Sequence, residues 1–121
     1  MAAPNIVTSY KATFQHLKVL NVVLSPAQVS ANTAAEQTFT VTGLLMADSL
    51  QPGDQILMIT KPTNAPAGVF PTTWRVSAAD TLAITFANVT GGPLTPTALE
   101  TYQIVVFRPN VPTTTALGTA I

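Results

Sequence analysis

The sequence predicts an all-β fold, a single-domain β-sandwich or jelly-roll-like barrel with extended N- and C-terminal arms. Short runs of apolar or alternating residues recur along the chain, and turn-forming residues separate them at roughly ten-residue spacing, as in sandwiches and barrels. Lys, Glu and Arg, which normally cover the surface of a helix, are scarce. The length of 121 residues suits one domain.

The apolar and alternating runs predict six strands. The clearest alternation lies in residues 37–43, where Phe39 and Val41 share one face and three threonines share the other. Apolar runs such as 104–107 have the length of a strand and are too short to cross a membrane. The predicted strands are 18–24, 37–43, 55–61, 72–76, 81–87 and 100–108.

The residues between these runs predict particular turns. The pair Pro52-Gly53 suits the centre of a type II turn, because glycine tolerates a positive φ. Residues 77–80 predict a four-residue hairpin connection, and residues 62–71, with three prolines, predict a loop. Helix is expected only as single turns, for instance near residues 31–36.

We interpret residues 1–17 as an N-terminal arm, 18–109 as the β-sandwich domain and 110–121 as a C-terminal arm. Residues 1–8 and 110–121 carry no charge. A solvated, disordered tail is usually charged or strongly polar. Uncharged and mildly apolar ends therefore favour arms that lie on a neighbouring chain, with frayed termini as the alternative.

The charge content is low and balanced. Five basic and five acidic residues make up 8% of the chain, where about a quarter is usual. Such a surface disfavours a free, highly soluble monomer. Without clustered Lys or Arg, we expect neither a nucleic-acid partner nor an anionic membrane. The absence of cysteine excludes disulfides and thiolate chemistry and suits assembly in a reducing cytosol. The N-terminus lacks the apolar stretch of a signal peptide.

Catalytic side chains are equally scarce. His16 is the only histidine, and zinc catalysis usually needs three protein ligands. Asp48 and Asp54 flank Pro52-Gly53 and could form an acid/base pair or a cation site, but Asp at the edge of a turn more often caps the backbone. We expect no enzyme, no metal site and no cofactor. A small hydrolase that uses the two aspartates and His16 is the enzymatic alternative.

Two further motifs have structural interpretations. Asn88-Val89-Thr90 matches a glycosylation acceptor, but we interpret it as a loop in which Asn88 ends a strand. Four aromatic residues could form a sugar-stacking platform, although aromatics on sandwich strands are usually core residues. These aromatics are Tyr10, Phe14, Trp74 and Tyr102.

Trp and Arg are favoured anchors of protein interfaces. Trp74 lies beside Arg75, and Arg108 precedes the proline that ends the last predicted strand. The apolar residues of both arms and of the loop before Trp74 complete the predicted contact set. The predicted interface residues are Ile6, Val7, Val69, Phe70, Trp74, Arg75, Arg108, Val111 and Leu117.

Two stretches of the sequence resemble a known class of proteins. The downstream stretch reads VSAADTLAITFAN at 76–88, followed by TGG at 90–92, ETYQI at 100–104 and FRP at 107–109. The upstream stretch reads VSANTAAEQT at 29–38, followed by VTGL at 41–44 and PGD at 52–54. Over about residues 23–110 the chain resembles small β-rich virion proteins of tailed bacteriophages. The free-standing members resemble capsid cement (decoration) proteins, which are structural, often trimeric, and carry no catalytic residues.

This resemblance implies a structural virion protein that binds the outer surface of a phage capsid and stabilises the lattice by bridging major capsid subunits. The implied partners are the major capsid protein and further copies of the chain, as a homotrimer. The implied location is the virion, after assembly in the host cytoplasm. A tail- or head-fibre adhesin module that binds a host surface glycan is the alternative.

Overall fold

The computed structural model describes residues 14–48 and 51–109 as two three-stranded antiparallel sheets packed together, which is the arrangement of a β-sandwich. Sheet I has the strand order β1-β6-β3 and sheet II the order β2-β5-β4. The described residues contain no helix, so the all-β prediction is confirmed. The strands are β1 (Phe14–Leu24), β2 (Thr33–Thr40), β3 (Gln55–Thr60), β4 (Val69–Ala78), β5 (Thr81–Asn88) and β6 (Glu100–Pro109).

The core lies between the two central strands, β5 and β6. Alternate residues of each strand point inward, and those in the middle of the two strands are at most 1% exposed. The ring of Phe86 on β5 meets Phe39 of β2 and Tyr102 of β6 edge-to-face, each at a centroid separation of 6.4 Å. One aromatic cluster therefore joins the two sheets. The fully buried inward residues of the central strands are Leu82, Ile84, Phe86, Tyr102, Ile104 and Val106.

Side-chain hydrogen bonds tie down both open sides of the sandwich. The Trp74 indole Nε1 of β4 donates to the Ile56 carbonyl of β3 at 3.2 Å, across from sheet II to sheet I. On the other side, the Gln37 amide accepts from the Ala27 N–H at 2.7 Å and donates to the Ala27 carbonyl at 3.0 Å. These bonds satisfy backbone groups that the sheets themselves leave unpaired.

Two segments differ from the local sequence prediction because strand pairing overrides it. The helical turn predicted near residues 31–36 is wrong: β2 begins at Thr33 and pairs with β5 along its whole length. The strand β4 begins at Val69, inside the predicted loop 62–71. Pro71 is tolerated there because it lies next to a bulge in an edge strand, where a missing N–H costs little.

The turns also differ from prediction. Gly53 does not have a positive φ, so the predicted type II turn at Pro52-Gly53 is wrong. Gly53 is instead required by a close approach, since an added Cβ would lie 2.4 Å from the Ala47 backbone nitrogen. The β4–β5 hairpin has a two-residue connection, with Asp80 at φ 57°. Because β1 begins at Phe14, its first residues fall within the range predicted as the N-terminal arm.

We predict that Gly53→Ala destabilises the protein by about 1–3 kcal/mol, the usual effect of overpacking a tight site. Gly91→Ala is the matched control, because an added Cβ there meets nothing within 4 Å. The control is expected to change the free energy of unfolding by less than about 0.5 kcal/mol. Urea denaturation measures both values, and equal stability of the two variants would contradict the close approach to Ala47.

Candidate interaction surface

Asp54, which the sequence offered as half of an acid/base pair with Asp48, forms a buried ion pair with Arg108 instead. The side chain of Asp54 is fully buried, and Arg108 on β6 binds it through two parallel bonds, Nε to Oδ1 at 2.9 Å and Nη2 to Oδ2 at 2.8 Å. The Leu45 N–H donates to Oδ2 at 2.8 Å, and the Asp54 N–H donates to the Leu45 carbonyl at 2.9 Å. Asp54 therefore fastens the segment between β2 and β3 to the end of β6.

His16 adds a third group to this cluster. Its Nε2 lies 3.4 Å from Asp54 Oδ1, within ion-pair distance but without hydrogen-bond geometry. Burial raises the pKa of Asp54, but the hydrogen bonds from Arg108 and Leu45 and the charges of Arg108 and His16 lower that pKa by more. The pKa of Asp54 therefore lies below its usual range and the carboxylate is ionised at neutral pH. A carboxylate held in this way acts as a structural clamp.

Asp48 caps the backbone, as expected for an aspartate at a turn. Its Oδ1 accepts a hydrogen bond from the Gln51 N–H at 2.9 Å. Among the residues that the structure describes, no three His, Cys, Asp or Glu side chains group as metal ligands. The geometry thus gives both aspartates backbone partners, while the hydrolase alternative needs at least one of them directed at a substrate.

Asn88 is confirmed as the buried end of β5. It is 1% exposed, and its amide nitrogen donates to the Val29 carbonyl at 3.0 Å and the Gly92 carbonyl at 2.8 Å. Its Oδ1 accepts from the Thr90 N–H and hydroxyl at 2.9 and 2.7 Å. All its polar atoms are engaged, so the side chain organises the loop after β5.

The five predicted interface residues that the structure describes do not form one surface. Val69 is 1% exposed and belongs to the core, so a partner cannot reach it. Trp74 is half-buried between the sheets, while Phe70 is 40% exposed on β4. Arg75 is paired with Glu36 at 2.8 Å and Arg108 with Asp54. Ile6, Val7, Val111 and Leu117 lie outside the described residues, as does the aromatic residue Tyr10.

The largest unexplained feature is the outer face of sheet I. The side chains that point away from the core on this sheet are mostly apolar, and those on its edge strands are about half exposed. None of the charged residues of its strands points outward, because Lys18, Glu100 and Arg108 occupy the alternate positions that point toward sheet II. We call this surface the apolar face, and its residues are Leu17, Val19, Val23, Leu57, Met58, Val105 and Phe107.

The strand register places most of the apolar face in two adjacent rows, and the polar row of Asn21, Gln103 and Thr60 separates them from Val23. Val19 of β1, Val105 of β6 and Met58 of β3 stand in one row across the sheet. Leu17 pairs with Phe107 in the next row. Side chains that face each other across neighbouring strands are about 4.5–5.5 Å apart at Cβ, so the side chains within each row touch. The exposed members range from 46% for Met58 to 60% for Leu17.

The outer face of sheet II is different in chemistry. Its outward positions are mainly threonine and alanine, and one ion pair between Glu36 of β2 and Arg75 of β4 spans the central strand. The guanidinium and carboxylate meet through two bonds of 2.8 Å each. Polar and small side chains are suited to contact with water. The outer face of sheet II is therefore suited to solvent, whereas the outer face of sheet I is the apolar face.

A cleft of about 300 Å³ lies between β3, β4 and the segment before β3. Asp54, Trp74 and Arg75 are among its lining residues. The polar groups of these three side chains already have protein partners, so the cleft has no side-chain group of theirs directed at a ligand. It offers a weaker argument for binding than the apolar face.

Sequence reasoning missed the apolar face, although the signal is present. The runs VLNVV at 19–23 and ILMI at 56–59 place apolar residues on both parities of a strand, which is the pattern of strands covered on both faces. The contacts predicted from the sequence lie instead on the arms, the loop before Trp74, Trp74 itself and the arginines. The apolar residues at the outward-pointing positions of these strands, considered together with those at the inward-pointing positions, are the signal for this surface.

Comparisons with protein families, curated proteins and solved structures found no match. Within residues 14–48 and 51–109, no helix has the length and hydropathy needed to span a bilayer.

We predict that Asp54→Asn destabilises the fold by about 3–5 kcal/mol, because it leaves the largely buried guanidinium of Arg108 without an anionic partner. The exposed pair Glu36–Arg75 supplies the control, since Glu36→Gln removes a charge pair that water already screens. The control is expected to have a much smaller effect. Thermal and urea unfolding measure both, and similar losses would contradict the clamp.

The stability difference between wild type and the Asp54→Asn variant should depend on pH. The lowered pKa of Asp54 means that its stabilisation is present above the unfolded-state value of about 4 and is lost as the pH falls through the folded-state pKa. The stability difference between wild type and Asp54→Asn should therefore be constant near neutral pH and should shrink below about pH 4. A difference that does not depend on pH would show that the carboxylate charge is not the cause.

Proposed function

We propose that the chain is a non-enzymatic structural protein of a tailed-phage virion, which binds the outer surface of the capsid and bridges major capsid subunits. The observation that carries the proposal is the apolar face. Contiguous exposed apolar surface on a small protein marks an interaction site more often than chance exposure. The resemblance to capsid cement proteins supplies the partner, and the apolar face supplies a surface through which a partner can be held.

The size of the apolar face bears on how the protein binds. Fully burying one Val, Leu or Met side chain is worth about 1.5–3 kcal/mol. Five side chains that are about half exposed, as in Leu17, Val19, Val23, Leu57 and Met58, would contribute roughly 4–8 kcal/mol on burial. Association costs are of the same order. One face alone gives weak binding, so firm attachment needs several contacts for each assembly, as in a homotrimer with arms.

The strand pairing supports the jelly-roll-like form of the proposal. β1 pairs with β6 in one sheet and β2 pairs with β5 in the other, so successive antiparallel pairs alternate between the sheets. β3 and β4 then join the free sides of β6 and β5. This nested winding is the order found in jelly rolls, which usually have eight strands.

The proposed arms join the sandwich at one corner. Phe14, where β1 begins, is the register partner of Pro109, where β6 ends. Residues 1–13 and 110–121 therefore both continue from the same end of sheet I, next to the row of Leu17 and Phe107. We propose that their apolar residues Ile6, Val7, Val111 and Leu117 contact a neighbouring subunit.

We predict that Met58→Asp weakens binding to capsids by at least about tenfold, since burying an unpaired carboxylate at the contact costs more than 1.4 kcal/mol. The assay is cosedimentation with expanded capsids that lack the protein, prepared from the phage that encodes it. The control variant Thr38→Asp places the same charge at an exposed, outward-pointing position on β2, an edge strand of sheet II. This variant should bind like wild type. Equal binding by both variants would contradict a role for the apolar face.

The same preparation separates the two functional hypotheses. Capsids that carry the protein at defined stoichiometry should resist heat better than capsids without it. Binding to host cells with no effect on capsid stability would favour the glycan-binding adhesin. Deletion of residues 110–121 tests the arm separately, because unchanged capsid affinity would remove the C-terminal arm from the proposal.

A further inference from the structure

β1 is the longest edge strand of the two described sheets. Edge strands present unpaired backbone groups, and proteins usually shield them by shortness, bulges, proline or charge. β3 has six residues and a bulge, and its Ile56 carbonyl accepts a hydrogen bond from the Trp74 indole. β4 contains Pro71 and two bulges, and β2 has eight residues against the 11 of β1.

β1, by contrast, runs for 11 residues with one irregularity near its start. Lys18 is its only lysine, arginine or acidic residue. Among the described elements, β6 is the only strand that pairs with it or packs closely along it. About half of its backbone N–H and C=O groups therefore point away from the sheet, and an extended strand is the partner that matches them.

We propose that a second copy of β1 pairs with this edge, antiparallel, about a two-fold axis at Val19. Residue 19 is the centre of the strand, so this is the register that pairs all 11 residues. Val19 lies opposite Val19 of the second copy, and Leu17 lies opposite Asn21. Lys18 lies opposite Leu20, so like charges do not meet. A self-complementary, nearly uncharged strand suits an isologous contact better than a contact with a charged partner.

This pairing goes beyond the proposed function and does not depend on it. It would create a continuous six-stranded sheet of the order β3-β6-β1-β1-β6-β3, with the two apolar faces on the same side. A two-fold contact gives dimers, or hexamers where it joins two trimers. The pairing is therefore compatible with a trimer formed through other surfaces.

Disulfide cross-linking tests the pairing, and the chain has no cysteine of its own to interfere. Val19→Cys would place two thiols directly opposite each other, at a Cα separation of about 4.5–5.5 Å, which a disulfide can span. Val105→Cys is the matched control, because Val105 is the neighbour of Val19 on the same face but lies on the central strand. We expect Val19→Cys to form the dimer at least tenfold faster than Val105→Cys under mild oxidation.

Two results would overturn the proposal. Faster cross-linking through Val105→Cys would indicate that the apolar faces stack on each other. Rates for Val19→Cys no higher than those of Thr38→Cys, at an exposed edge position of sheet II, would indicate random collision. Thermal unfolding of the reduced variants checks that each one is folded.

Solution mass provides a second, independent test. Val19→Lys would bring two like charges together at the two-fold axis and should halve the mass of the wild-type assembly. Thr101→Lys, at an exposed position on the central strand of the same face, should leave the mass unchanged. Sedimentation velocity measures both. A wild-type protein that stays monomeric or trimeric at high concentration would overturn the two-fold pairing.

Discussion

Sheet I carries more apolar than polar side chains on its outer face as well as an apolar inner face, and this constraint governs how the sandwich can be covered. Its inward residues, such as Tyr102 and Ile104, fill the core against sheet II. Its outward residues, such as Val19 and Met58, meet nothing in the described part of the chain that buries them. Strands with this composition are normally covered on both sides. Sheet II covers one side, and nothing in the described part of the chain covers the other.

Most of the charged side chains among the described residues bind other parts of the same molecule. Asp54 and Arg108 tie the segment before β3 to the end of β6, and Glu36 and Arg75 join the two edge strands of sheet II across its centre. Asp80 accepts a hydrogen bond from the Gly43 N–H at 2.7 Å and so connects the β4–β5 hairpin to the turn after β2. These placements leave the outer face of sheet I free of charge. Within the described residues, the low charge content is therefore most complete on the outer face of sheet I.

Much of the fold could be predicted because strand alternation is a local property. The inward positions of β5 follow from the two-residue period alone, and all of them are buried. The errors arose where distant pairing decides local structure: β2 starts at Thr33 because β5 lies beside it, and Gly53 is required by Ala47 and not by its own φ. The partner of Asp54 is 54 residues away in sequence. No spacing rule connects those two residues, so the clamp could be found only in the fold.

The edge of β1 and the apolar face adjoin each other, but the interactions that each of them offers differ in kind. Hydrophobic burial is non-directional and scales with area, so the face alone would accept many apolar surfaces. Backbone hydrogen bonds are directional and alternate along the strand, so the edge accepts an extended strand in a limited number of registers. Pairing through the edge would also double the area of one continuous face. Two linked faces raise the effective affinity for a repeating lattice without any new type of contact, provided that the spacing of the faces matches the spacing of the lattice.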